Sequence, residues 1–183
     1  MTGPPDGLDP PSDRWLVDKV REGDVGAYEV LVRRHRARIH RIAWRMLGDH
    51  DDAEDVTQDV VIALWTALSG FTGGSAFTTW LYRVVVNRCL NHRRRRRTVD
   101  LQESDHPAVP GPERRVVAGR QLEAGLAAIA HLPDDLRVPL VLVQLEGLSY
   151  REASVITKLS EGAVRNRLHR ARVAVMQEMR AWS

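Results

Sequence analysis

The sequence predicts an all-α protein of two small helical domains joined by a flexible linker. Three observations carry this. Apolar residues return every three or four positions along successive stretches, the period of a helix with one buried face. Gly, Ser, Asp and Pro fall between those stretches, where helices start and stop. Residues 98–112, TVDLQESDHPAVPGP, hold three prolines and no core-facing pattern, which reads as a linker. The boundaries that follow are a tail at 1–11, a first domain at 12–97, a linker at 98–113 and a second domain at 114–183. A chain of 183 residues has room for two such units.

The tail is rich in proline (Pro4, Pro5, Pro10, Pro11), and disorder is expected there. Ser12 and Asp13 can cap a short helix with Trp15, Leu16 and Val20 on one face. Gly23-Asp24 ends it and starts a second, on which Tyr28, Leu31, Val32, Ile39, Ile42, Ala43 and Met46 form the apolar stripe. His35, Arg36, Arg38 and Arg41 take the other positions. Gly48-Asp49 is a stop. Asp51-Asp52 then opens a third helix, with Glu54 and Asp55 favourable in its first turn. Its core side is Val56, Val60, Ala63, Leu64 and Ala67. Its other side aligns Glu54, Asp55, Gln58, Ile62 and Trp65, and carboxylates beside an exposed Ile and Trp read as a protein-binding face. The alternative is that another helix of the same domain covers Ile62 and Trp65.

A glycine loop leads to residues 75–97, SAFTTWLYRVVVNRCLNHRRRRR, with Ser75 as the expected cap. Aromatics, amides and five consecutive arginines on one helix suit a single nucleic-acid strand, since rings stack on bases and cations track phosphates. The plainer reading is a core helix with a solvated basic end. In the second half a helix is expected from about Glu113 to His131, through Val117, Leu122, Leu126 and Ile129. Leu132-Pro133 ends it, and Asp134-Asp135 starts another in which Pro139 either sits near the start or bends the helix. After Gly147, Ser149 with Glu152 forms a capping box for a short helix, and Ser160 caps a final one running towards Arg180. On that helix Val164, Leu168, Ala171 and Val175 face inwards. A short helix, a tight turn and a longer basic helix make a helix-turn-helix. Arg and Asn near its N-terminus can reach base edges, while Arg167, Arg170 and Arg172 can hold phosphates. A basic solubilising surface is the bland alternative.

Charge is only +3 overall but unevenly placed, with 49–59 acidic and 88–97 and 165–172 basic. That asymmetry suggests one anionic and one cationic partner. The single cysteine, Cys89, excludes an intramolecular disulfide and reads as a reduced packing residue of an intracellular protein. No secretory signal and no run long enough to span a membrane is seen. The seven histidines form no ligand pattern with the carboxylates, and nothing positions a nucleophile. No enzyme, metal or cofactor is therefore expected.

Three blocks taken together, DDAEDVTQDVVIALW (51–65), FTTWLYRVVVNRCLNHRRRRR (77–97) and LSYREASVITKLSEGAVRNRLHRAR (148–172), resemble the extracytoplasmic-function (ECF, group IV) sigma factors of the sigma-70 family. The approach LPDDLRVPLVLVQLEG (132–147) also resembles that family. The resemblance implies sigma domain 2 and sigma domain 4. It implies core RNA polymerase (clamp coiled coil and flap) and promoter DNA as partners, and a cytoplasmic location. It also implies control by an anti-sigma protein, which can hold such a factor at the membrane. Carried over by position, polymerase binding falls to Asp52, Glu54, Asp55, Gln58, Asp59, Ile62 and Trp65. Minus-ten recognition and strand opening fall to Thr78, Thr79, Trp80, Tyr82, Arg83, Asn87, Arg88, Asn91, Arg93 and Arg94, with 71–76 as one wall of a base pocket. Minus-thirty-five recognition falls to Arg151, Glu161, Gly162, Arg165, Asn166, Arg167, His169 and Arg170. Three positions depart from the family pattern. Lys158 stands where a turn glycine is usual, Ser154 where alanine is, and Thr157 where leucine is. A lysine in a left-handed turn implies a cost of about 1 kcal/mol. The competing classes are a stand-alone helix-turn-helix regulator, which has no use for the acidic-apolar face, and an RNA-binding protein, which leaves the helix pair unexplained.

Overall fold

The computed structural model describes residues 11–102 and 125–181. All the regular elements among them are helical. The chain begins with α1 (Asp13–Arg21), capped by the Ser12 hydroxyl, which accepts from the Trp15 N–H at 3.3 Å. Leu16, Val17 and Val20 are its buried residues, while Trp15 stays 42% exposed, off the face expected for it. The α2 helix (Val25–Leu47) is capped by Asp24 and closed by Gly48 at φ 77°, which glycine adopts without strain. Its buried side includes His35 as well as Leu31, Ile39 and Ile42. His35 lies four residues from both Leu31 and Ile39, so helical geometry puts it on the stripe rather than among the polar positions. The next helix, α3 (His50–Ala67), starts one residue earlier than expected. Its cap is Asp49, whose carboxylate accepts from the amides of Asp51 and Asp52 at 2.9 Å each.

The α4 helix (Phe77–Gln102) differs from the sequence reading at both ends. It opens at Phe77 rather than Ser75, where the Trp80 N–H reaches the Ala76 carbonyl at 3.2 Å. It also runs five residues past Arg97, into the stretch read as linker. No glycine or proline interrupts 98–102, so nothing local stops propagation. Helices α2, α3 and α4 form one bundle with α1 laid against α2. Its shared core includes Leu31, Ile42, Val56, Val60, Leu64, Leu81 and Val85, each fully shielded from water. Each such side chain contributes about 1.5–3 kcal/mol by burial.

The chain resumes with α5 (125–131). The expected helix positions Val117 and Leu122, and the tail before Pro11, lie outside the described residues. Next, α6 (Asp134–Pro139) ends on its proline and continues as one wide π turn, Leu140–Leu145, closed by Glu146 N–H to Val141 O at 2.9 Å. Proline lacks the N–H that an α-helical register would use, so the pitch changes at Pro139. The α7 helix (Tyr150–Thr157) carries the Ser149–Glu152 capping box. Between α7 and α8 (Glu161–Ala181), Lys158 takes the left-handed conformation at φ 59° and ψ 30°. Ser160 accepts from the Ala163 N–H at 3.2 Å. Val164, Leu168 and Ala171 are buried on α8 as the stripe requires. The two helical groups are not held apart: α4 packs on α7, and α2 touches the π turn.

Candidate nucleic-acid and partner interfaces

The outer face of α3 is open. Asp55, Gln58, Asp59, Ile62 and Trp65 fall at helical spacing along it and all are exposed. Ile62 is 76% exposed, so no helix of the bundle covers it. Trp65 is 38% exposed and leans edge-on against the Tyr28 ring, with centroids 5.0 Å apart. The Tyr28 hydroxyl in turn donates to the Val61 carbonyl. Glu54 accepts from Arg36 and from Gln58. Asp52 lies off the strip: it accepts from Arg96, with His92 Nε2 3.1 Å away but not aligned for a hydrogen bond, and so ties α3 to α4.

On α4 the expected DNA residues divide by depth. Thr79, Trp80 and Tyr82 are buried, Thr78, Arg83, Arg88 and Arg93 are half-buried, and Asn87, Asn91 and Arg94 are exposed. Trp80 packs in an aromatic cluster with Phe71 (5.4 Å) and Phe77 (5.7 Å). Phe71 belongs to that cluster, while Thr72, Gly73, Gly74 and Ala76 of the same loop are exposed. Arg88 approaches Asp59 at 4.0 Å, and Arg93 meets Asp134 at 3.0 Å as an ion pair without hydrogen-bond alignment. Cys89 is fully buried, and burial pushes its thiol up to about 12, so it remains protonated and unreactive.

On the helix-turn-helix, Arg151, Glu161, Gly162, Arg165, Asn166, His169 and Arg170 are all exposed. Arg165 lies over the Tyr150 ring at 5.1 Å, a cation–π contact that holds the guanidinium at the N-terminal end of α8. Arg167 is half-buried and 3.9 Å from Asp135. Arg172 donates to the Gln144 side chain. Ser154 and Thr157 donate their hydroxyls to Arg151 O and Ala153 O, which satisfies them within the helix.

Two charged residues missed by the sequence reading organise the seam between the two helical groups. Glu146, at the end of the π turn, has a side chain only 1% exposed. It accepts from Arg41 at 2.9 Å and 3.1 Å, from the Tyr82 hydroxyl at 2.9 Å, and from Arg45. Burial alone would raise the Glu146 carboxyl, but the hydrogen bonds from Arg41 and Tyr82 hold it below the usual range. Tyr82 is pushed up to about 12, by burial first and by the Glu146 charge second. Arg137 is fully buried and donates to four carbonyls: Ile129 (2.9 Å), Met46 of α2 (3.1 Å), Ala130 and Leu132. Burial, then repulsion from Arg93, lowers it to about 10, so it stays charged at neutral pH. The signal for Arg137 was present: one arginine inside the apolar run LRVPLVLV must either break the run or find buried acceptors.

Comparison with known proteins agrees with this geometry. A sequence profile of sigma-70 region 2 matches residues 31–99, and one of sigma-70 region 4 matches residues 122–175. The RNA polymerase sigma-H factor of Pseudomonas aeruginosa is 37% identical over 177 residues, covering 89% of this chain and 91% of the relative. The ECF RNA polymerase sigma-E factor of Escherichia coli K12 is 33% identical over 177 residues, covering 90% and 92%. Among solved structures, CnrH in complex with the cytosolic domain of CnrY superposes with a TM-score of 0.70 at 28% identity, over 93% of this chain and 99% of that one. The sigma factor RpoE of Bartonella quintana, solved with the anti-sigma factor NepR, shares the fold at a TM-score of 0.66 and 23% identity, over 84% and 96%. Two region profiles matched in order, with relatives aligned over nearly their whole length, place the chain in its family: it belongs to the extracytoplasmic-function sigma factors of the sigma-70 family.

Proposed function

We propose that this chain is the promoter-specificity subunit of a bacterial RNA polymerase, acting in the cytoplasm by binding rather than by bond chemistry. It joins core enzyme, reads minus-thirty-five and minus-ten elements and opens the duplex. The observation that carries this beyond the family is the uncovered strip Asp55, Asp59, Ile62 and Trp65 beside a separate basic helix-turn-helix. A regulator acting on DNA alone needs the second surface and not the first. In this reading the first helical group, residues 12–97, is sigma domain 2 and residues 114–183 are sigma domain 4. The strip on α3 engages the clamp coiled coil. Asn87, Arg88, Asn91 and the arginine run of α4 engage the minus-ten region, and Arg165 and Asn166 read the minus-thirty-five duplex.

Opening costs about one to two kcal/mol per base step. Captured bases and phosphate contacts offset it, at about one to three kcal/mol per good stack. An anti-sigma protein covering the polymerase-binding surfaces belongs to the same proposal, and the solved relative CnrH was captured with a protein bound. The test is binding to purified core polymerase and to promoter duplex. We expect tight binding to core enzyme. We also expect Arg165→Ala to lose about 1–3 kcal/mol of minus-thirty-five discrimination. Sequence-specific duplex binding with no affinity for core enzyme would overturn the reading.

A further inference from the structure

The five arginines of α4 do not share one face. At about 3.6 residues per turn, Asn87, Asn91, Arg94 and Arg95 fall on one side of the helix, and all four are exposed. His92, Arg93, Arg96 and Arg97 fall on the other side. With Leu47 at the end of α2 and Asp52 in the first turn of α3 they line an open cleft of about 200 Å³. That is several times the ~30 Å³ share of one water molecule.

The cleft is short of negative charge. Its one carboxylate, Asp52, accepts from Arg96. Arg93 meets Asp134 at 3.0 Å, and Arg137 approaches the same carboxylate at 3.4 Å. Arg97 is exposed and has no ion-pair or hydrogen-bond partner among the described residues. Four guanidinium groups, Arg93, Arg96, Arg97 and Arg137, thus share two carboxylates, Asp52 and Asp134. Burial lowers both Arg93 and Arg137 from the ordinary arginine range, and repulsion from Arg97 lowers each further. Two nitrogens of the lining residues are also unmet. His92 Nε2 and Arg93 Nε are shielded from water without a hydrogen-bond partner, where buried polar groups ordinarily find one.

What the cleft lacks is a compact anion with several acceptor oxygens. Guanidinium forks match phosphate oxygens in shape and charge. A strand of DNA followed by Asn87 and Asn91 lies across the width of α4, about 10–12 Å with its side chains, and does not supply that phosphate. We propose that this corner of the first helical group is a site for a free phosphoanion of the pyrophosphate class, held by Arg93, Arg96 and Arg97, with Asp52 as the internal anion it displaces from Arg96. The bound anion ties α4 to the α2–α3 corner and stabilises the folded state that holds it. The site stands on the geometry of the cleft and not on the proposed function.

The experiment titrates inorganic pyrophosphate into the full-length protein by calorimetry at physiological ionic strength, with sulfate as the comparison anion. Wild type should bind one pyrophosphate, more tightly than sulfate. Arg97→Gln should weaken that binding at least about tenfold, as expected for lost hydrogen bonds to a charged group. Asp52→Asn should tighten it by about threefold, since the competing carboxylate is gone. Arg95→Gln removes the same charge from the opposite face and should leave pyrophosphate affinity unchanged. Arg97 is exposed and unpaired among the described residues, so its variant decides the matter if Asp52→Asn fails to fold. Binding of the same variants to duplex DNA at low salt separates the two sources of phosphate. There Arg95→Gln should cost more than Arg97→Gln. Pyrophosphate held no better than sulfate, equal losses from Arg95→Gln and Arg97→Gln, or a DNA defect confined to Arg97→Gln would overturn the site.

Discussion

Lys158 is the one non-glycine residue with positive φ among those described, and it sits in the turn between α7 and α8. The left-handed conformation brings its Cβ against the following carbonyl, at about 1 kcal/mol. Lys158→Gly should therefore stabilise the protein and raise its melting temperature by about 2–4 °C in a thermal melt. An unchanged or lower temperature would show that the turn is unstrained. This position was legible in advance because the turn itself demands a left-handed residue. Glu146 was not, since nothing in one sequence says that a glutamate after an apolar run will meet two arginines from a helix a hundred residues earlier. The exposed α3 strip, proposed above as the polymerase contact, gives a second prediction. Ile62 is 76% exposed and Trp65 38% exposed, with the Tyr28 ring as the aromatic neighbour of Trp65, so truncating both to alanine should weaken binding to core polymerase by about 2 kcal/mol or more, while helical content is kept. Unfolding of the double variant would return both side chains to the core.

At the level of elements, α1 is held by a titratable relay. Arg38 can only donate, so His35 Nδ1 accepts from it at 2.9 Å, and His35 Nε2–H donates to Asp13 at 2.9 Å. Arg34 also donates to Asp13 at 2.7 Å. Burial holds the His35 pKa below its ordinary 6.5, against the opposing pull of Asp13. Burial would raise Asp13, but the bonds from His35 and Arg34 bring it below its ordinary 3.8. Both folded values are depressed, so each contribution is present above the unfolded pKa and lost as pH falls through the folded one. The His35 contribution is whole above about pH 6.5 and declines below it. Amide exchange in α1, corrected for intrinsic rates, should therefore quicken at pH 5.5 relative to pH 7.5 more than in α3. Equal protection at both values would remove the relay from the account. Most helix limits were readable from caps, as at Asp24, Ser149 and Ser160. The ends of α4 were not. A serine two residues early resembled a cap, and the arginine run resembled a stop although no residue there breaks a helix.

For the whole molecule, the sequence carried two helical groups and the residues on their outer faces, because periodicity and capping are local. It did not carry how the groups meet. That depends on Arg137 crossing to Met46 O and on Glu146 gathering Arg41, Arg45 and Tyr82, which are long-range pairings. The same gap explains why Tyr82 reads as a DNA residue in sequence and as a seam residue in this arrangement. The proposed function rests on the outer faces of α3, α4 and α8, whose named residues lie within the two segments, 31–99 and 122–175, that match sigma-70 regions 2 and 4. The central claim is that these surfaces make one polymerase specificity subunit. Run-off transcription with purified core polymerase, on a template carrying a promoter this factor controls, tests it most directly. The account predicts a transcript of defined start that depends on this protein and is reduced at least tenfold by the Ile62→Ala and Trp65→Ala pair, a loss of about 1.4 kcal/mol or more. A transcript that appears equally without the protein, or that the double variant supports in full, would contradict it.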